Sequence, residues 1–219
     1  MRVATQIASI VQLGVLRFDG FTVTGANRDD NRVPASGERS VMTTEAPELA
    51  SRVTMVRTMY RRMGIDPTKT RPSSEALLRR VRKGQPLPRI NSLVDVCNRC
   101  SLEVQLPYGL YDADAIAGAI EFRFGQTGDE YAGIRKSVVH LAGRPALFDE
   151  LGPFGNPTSD STRTMVTTAT TRALVVVYAP LALPAEQLGD VLACTAVRVS
   201  YVAGGVKQGR WVLGKDKAR

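Results

Sequence analysis

The first ~20 residues read as extended chain from their mix of apolar and polar positions. Val15-Leu16-Arg17-Phe18 and Phe21-Thr22-Val23-Thr24 flank Asp19-Gly20, a turn signal, so a hairpin is predicted there. Residues 25–46 show no period and are rich in Asn, Asp, Arg, Ser, Gly and Thr, which reads as a surface excursion. From Pro47 to Met63 the pattern changes, with Leu49, Val53, Val56, Met59, Tyr60 and Met63 recurring at helical spacing before Gly64 as a stop. Ile65 to Pro72 is a proline-punctuated connector. Ser73 or Ser74 is the expected N-cap of a second helix carrying Ala76, Leu77, Leu78 and Val81 and ending at Lys83-Gly84. A third helix is predicted from about Asn91 to Ser101, with Leu93, Val94 and Cys97 inward.

Beyond it the chain turns to strands. Extended segments are predicted over Ile120–Phe124, Lys136–Leu141, Ala146–Leu151, Thr162–Thr167 and the β-branched run Ala173–Tyr178. Pro184 to Val202 carries an apolar stripe of Leu188, Val191, Leu192, Thr195, Val199 and Val202 and reads as a helix. Strands that cluster instead of alternating with helices predict an α+β fold, and no internal repeat is present. Residues 1–46 are read as an N-terminal extended or hairpin segment packed on the body, 47–205 as the body, and 206–219 as a basic tail in which Trp211-Val212-Leu213 could dock.

The 219 residues suffice for a core without disulfides or metals, and no apolar run approaches the ~20 residues of a membrane span. The N-terminus has no convincing signal or transit peptide, and three cysteines fit a reducing compartment, so a cytosolic protein is expected. A net charge of +8, mostly arginine, favours a polyanionic partner whose phosphates suit the guanidinium fork.

Candidate chemistry is sparse. Cys97-Asn98-Arg99-Cys100 has half the spacing of a zinc site, but no second pair exists and His140 is the single histidine, so both cysteines are read as packing residues. No nucleophile motif accompanies His140, and no phosphate-cradling glycine loop occurs. Arg61-Arg62 and Arg79-Arg80-Val81-Arg82-Lys83 are either solvated helix surface or phosphate contacts. Arg71-Pro72-Ser73-Ser74-Glu75 opens a helix whose free amides favour an anion. Gly155 to Thr164, dense in small donors and acceptors, is either a well-capped turn or the lining of a polar pocket.

Three stretches together resemble a known family. They are Arg71-Pro72-Ser73-Ser74-Glu75-Ala76-Leu77-Leu78 through Leu87-Pro88-Arg89-Ile90-Asn91-Ser92-Leu93-Val94-Asp95-Val96-Cys97-Asn98, then Leu106-Pro107-Tyr108-Gly109-Leu110-Tyr111-Asp112, then Gly152-Pro153-Phe154-Gly155-Asn156-Pro157-Thr158-Ser159-Asp160-Ser161 with the strand to Ala179-Pro180. Over roughly residues 48 to 202 the chain resembles the B3/B4 editing domain of the phenylalanyl-tRNA synthetase beta subunit and its stand-alone bacterial relatives. The resemblance implies a β-sandwich of unusual topology with helices packed outside and a pocket at the junction of two lobes. In the synthetase that pocket hydrolyses tyrosine wrongly esterified to tRNA, with little side-chain catalysis: backbone groups and a ribose hydroxyl position the water. A free-standing copy is thereby expected to deacylate mischarged tRNA in trans, with no cofactor, no metal and no membrane partner.

The resemblance implies pocket residues Asn91, Asp95, Asn98, Tyr108, Gly109, Asp112, Asn156, Asp160, Ser161, Thr164 and Leu174, with Asp95 also suited to capping, and no catalytic side chain is assigned. Arg71, Ser73, Ser74, Arg79, Arg80, Arg82 and Lys83 would hold the aminoacylated acceptor end of tRNA. Gly109 stands where the synthetase has a histidine, and Leu174 or Val175 where it has the acid that reads the tyrosine hydroxyl. An unpaired buried hydroxyl costs ~1 to 3 kcal/mol, so an amino acid other than tyrosine is implied. Two alternatives stay open: a non-catalytic tRNA- or RNA-binding module, and a pocket protein for a small amino-acid-like ligand.

Overall fold

A computed structural model of the protein describes residues 1–26, 47–134 and 138–214. In chain order the elements are β1 (Arg2–Val3), α1 (Thr5–Ala8), β2 (Val11–Phe21), α2 (Pro47–Arg62), α3 (Ser73–Arg82), α4 (Ser92–Val104), β3 (Tyr108–Asp112), a 3-10 turn (Ala113–Ala115), β4 (Glu121–Phe124), β5 (Glu130–Ala132), β6 (Val138–His140), β7 (Pro145–Asp149), β8 (Gly152–Asn156), β9 (Ser159–Asp160), β10 (Arg172–Pro180), α5 (Ala185–Ala203) and β11 (Gly204–Leu213). The α+β class expected from the pattern is observed.

Two larger sheets face each other. The first has the order β11-β2-β10-β3 and is antiparallel throughout; the second runs β1-β4-β7-β8-β9, with β1 and β4 parallel. Between them Tyr111 meets Phe154 edge-on at 5.1 Å, and Phe122 lies 5.5 Å from Tyr178. The T-shaped contact of Tyr111 with Phe154 satisfies the ring quadrupoles as well as burying area. On its other face the first sheet carries α4 and α5. Gly14 of β2 sits against Leu188 and Leu192 of α5, where a Cβ would fall 2.9 Å from a Leu192 methyl. β5 and β6 form a separate two-stranded ribbon.

Several expectations are corrected. Asp19-Gly20 makes no hairpin: Val11–Phe21 is one strand, paired with β10 on one side and β11 on the other. With two neighbours to satisfy its backbone, the chain gains more from continuing than from turning. Lys207–Leu213, expected as the start of a tail, is edge strand β11 on β2. Thr162–Thr167 is not a strand. Its polar side chains bond locally, as when Ser161 Oγ accepts from the Arg163 amide and Thr170 Oγ1 accepts from the Thr167 amide, and such bonds compete with a ladder. Neither Ser73 nor Ser74 caps α3; Pro72 holds the N-cap position and Ser74 is buried. The excursion expected over residues 25–46 lies outside the described residues from 27 onward, as do Lys136 and residues 215–219.

Candidate functional site

Asn91 sets the start of α4. Its side-chain Oδ1 accepts from the Val94 amide at 2.9 Å, an N-cap that satisfies one of the free donors of the first turn. Its Nδ2 donates to the Val166 carbonyl, tying the helix start to the loop after β9. Asp95, one turn on, accepts from the Ile90 amide at 2.8 Å, and its other oxygen lies 3.7 Å from Arg89 Nε. Burial pushes this carboxyl upward against the pull of those donors. Both residues hold the helix entrance in shape.

Helix α4 roofs a cavity of about 250 Å³ at the place where edge strand β3 of the first sheet meets edge strand β9 of the second. Tyr108 and Leu110 line it from β3, Val94, Cys97 and Asn98 from α4, and Ile90, Ile134, Asp160, Met165 and Val166 from the surrounding segments. Side chains alternate along a strand, so with Tyr108 and Leu110 turned to the cavity, Gly109 and Tyr111 turn into the sandwich. The walls are mainly apolar, with three polar groups among them.

Tyr108 is committed, its hydroxyl sharing a hydrogen bond of 2.8 Å with Thr195 Oγ1 of α5. Asn98 contributes a neutral amide. Asp160 is the acid of the cavity, and its Oδ1 is shut off from water without a hydrogen-bond partner among the described residues. Burial pushes the Asp160 carboxyl up to about 7, opposed by the Tyr111 hydroxyl and the Leu110 amide. The Tyr111 hydroxyl in turn meets that of Tyr178 at 2.8 Å, and Tyr131 donates to the Ser159 carbonyl. A carboxyl with a pKa near neutrality in an apolar cleft is a mark of functional sites.

Of the eleven residues expected at a pocket, Asn98, Tyr108 and Asp160 come together in this one, and Asn91 borders it through Val166. The others are used elsewhere. Asp112 accepts from Thr170 Oγ1 and from the Asp114 amide. Asn156 Oδ1 accepts from the Thr158 and Ser159 amides, closing the β8–β9 turn. Ser161 accepts from the Arg163 amide, and Thr164 donates to the Phe154 carbonyl. Leu174, paired with Tyr111, faces the sandwich core. Gly109 has no room for a side chain: a Cβ there would lie 2.2 Å from Tyr111 Oη, and one at Gly155 2.4 Å from the same ring. The Tyr111 ring fills the gap between these two backbones.

Among the basic residues, Arg79, Arg80, Arg82 and Lys83 are exposed along the last turns of α3. Arg71 is engaged with Glu75 at 3.3 Å, and Arg57 binds the same carboxylate at 2.8 Å, so the α3 N-terminus carries its own anion. Buried Cys97 and Cys100 have thiols pushed upward, Cys100 to about 11, and stay protonated and unreactive. His140 pairs with Glu130 at 3.0 Å on the surface ribbon. The apolar lining residues Ile90, Leu110, Ile134, Met165 and Val166 carried no chemical signal in the sequence; their role comes from position alone.

A family model described as the B3/4 domain matches residues 55–183. Among solved structures, an N-terminal fragment of the phenylalanyl-tRNA synthetase beta subunit from Pyrococcus horikoshii matches with 16% identity and a TM-score of 0.40, over 56% of this chain and 42% of that one. The chain thus spans under half the length of that fragment. No curated protein matches. Among the described residues no helix is long and apolar enough to cross a membrane.

Proposed function

The chain belongs to the B3/4 domain family, and from that premise we propose that it is an aminoacyl-ester hydrolase that acts in trans on mischarged tRNA. The observation that carries the reading is the cavity beneath α4. At about 250 Å³ it lies below the range of pockets that enclose whole cofactors or drug-sized ligands, and it matches a single amino-acid side chain with its backbone atoms. Apolar walls hold the acyl group, while Asn98 and Asp160 supply directed polar contacts.

The reaction adds water to the ester carbonyl and breaks the bond to the terminal ribose oxygen. A proton passes from the water to that oxygen, releasing the free amino acid and uncharged tRNA. Such a step needs placement more than a side-chain nucleophile: holding the ester where water reaches its carbonyl supplies much of the rate. In this reading Asn98 donates its amide to the oxyanion or holds the water. Asp160 and the apolar walls fix the acyl group. The reading calls for no cofactor or metal, and it fits the cytosol, where aminoacylated tRNA is found. The exposed cations at the end of α3 are the proposed phosphate contacts.

The test is a deacylation assay of the purified chain against a panel of labelled aminoacyl-tRNAs, including the tyrosine- and phenylalanine-charged phenylalanine tRNA. Release of one or a few amino acids well above the uncatalysed rate is expected. Background rates across the panel would sink the enzyme reading, leaving RNA binding or capture of a free amino-acid-like ligand to be separated by salt-sensitive RNA affinity.

A further inference from the structure

Among the described residues no cation faces the carboxyl of Asp160. The groups that act on it from the protein are the Tyr111 hydroxyl and the Leu110 amide, with burial as the largest influence. Tyr178 and Tyr131 stand nearby as further neutral phenols, each feeling the Asp160 charge. No ion pair to Asp160 occurs among the described residues, whereas buried Asp149 has Arg163 on both oxygens at 2.9 Å. The contrast is chemical. Asp149 is a structural carboxylate with its cation built in; Asp160 lines a cavity and has one oxygen unpartnered.

An acid with an enclosed and unpartnered oxygen is costly, and what compensates it best is a positive donor brought into the same low-dielectric space. Phenols and backbone amides cannot neutralise the charge. An ammonium can, and it also offers three donors to one carboxyl. The other polar groups of the cavity do not compete for that part: Tyr108 is held by Thr195, and Asn98 is neutral.

We infer that Asp160 is the counter-ion for the ammonium group of the acyl ligand, so that the pocket accepts acyl groups with a free amine and rejects those whose nitrogen is acylated. This rests on the aminoacyl-ester reading, which is what brings an α-amine into the cavity. Acylation removes the positive charge and adds atoms to a cavity already filled by one amino acid. N-formylated, N-acetylated and peptidyl esters are excluded together, and the chain acts on aminoacyl esters alone.

The experiment measures calorimetric binding of a panel of amino-acid amides to the full chain, each beside its N-acetyl amide, in the wild type and in Asp160→Asn. The free-amine form is expected to bind about tenfold or more tighter than its acetylated partner, the scale of one charged hydrogen bond, and Asp160→Asn to erase that difference. Equal binding of the two forms to the wild type, no binding of any amide, or a preference that tracks only a side-chain hydroxyl would overturn the inference. The wild-type comparison stands even if Asp160→Asn folds poorly. Deacylation of aminoacyl-tRNA and its N-acetyl form in parallel separates the two claims. Free-amine selectivity in binding without hydrolysis overturns the enzyme reading and keeps the role of Asp160, while hydrolysis of both forms does the reverse.

Discussion

Asp160 couples the site to the stability of the fold. Its ordinary carboxyl value of 3.8 applies to the unfolded chain, and the folded value is about 7. Between those two pH values the native protein holds a proton that the unfolded one has lost. The stability from this group is therefore fully present below about pH 4 and is lost as pH rises through 7. The groups facing it, Tyr111, Tyr131 and Tyr178, have hydroxyls pushed upward by burial and stay neutral across that window. Asparagine cannot ionise. Urea unfolding at pH 5 and pH 8 should show Asp160→Asn gaining roughly 2 to 3 kcal/mol on the wild type over that interval. A gap that does not change with pH would mean that Asp160 titrates like a surface carboxylate.

At the scale of elements, α4 matters most because it roofs the cavity and its first turn depends on one side chain. Replacing Asn91 by alanine removes the cap to the Val94 amide and the tie to Val166 together. A loss of about 1 kcal/mol, up to about 2, is expected from the cap alone, read as a shift of the denaturation midpoint. Unchanged stability would show that water or a neighbour replaces the cap. The helices were legible because each buries a stripe at a 3.6-residue period, as Leu188, Leu192 and Val199 do in α5. Strands β3 and β11 were not. In β3 the buried positions are Gly109 and Tyr111, and a glycine that makes room for a ring gives no apolar signal. In β11 the pattern is mostly exposed, with Lys207 and Arg210 among its residues, because an edge strand need bury little on either face.

For the whole molecule, the net charge of +8 is a statement about partners. Each phosphate neutralised by a lysine or arginine releases condensed counterions, at roughly 0.7 to 0.9 of a unit in the salt slope per contact. Changing Arg79, Arg80, Arg82 and Lys83 to glutamine should therefore weaken the proposed tRNA binding and flatten the dependence of log Kd on log salt by about 3 if all four touch phosphate. A slope that stays as in the wild type would place the RNA on another face. Arg71 is a poorer candidate for such contacts than its place in the sequence implied, since Glu75 already holds it.

The sequence by itself determined where the main helices lie, the α+β class, the basic charge and, through motifs spread from Arg71 to Pro180, the family. Those features are local or additive: periodicity, composition and short runs of identity survive without knowledge of what packs on what. Only the tertiary structure decided which polar residues form a site. Asn98, Tyr108 and Asp160 come from three separate elements and meet because the edge of one sheet abuts the edge of the other under α4. Gly109 and Leu174 lie on the inward side because strand pairing chooses which alternate residues face the core, and a shift of one residue would exchange the two faces. That no cation faces Asp160 among the described residues is likewise a property of the assembled neighbourhood, since burial and counter-ions are supplied by residues far away along the chain.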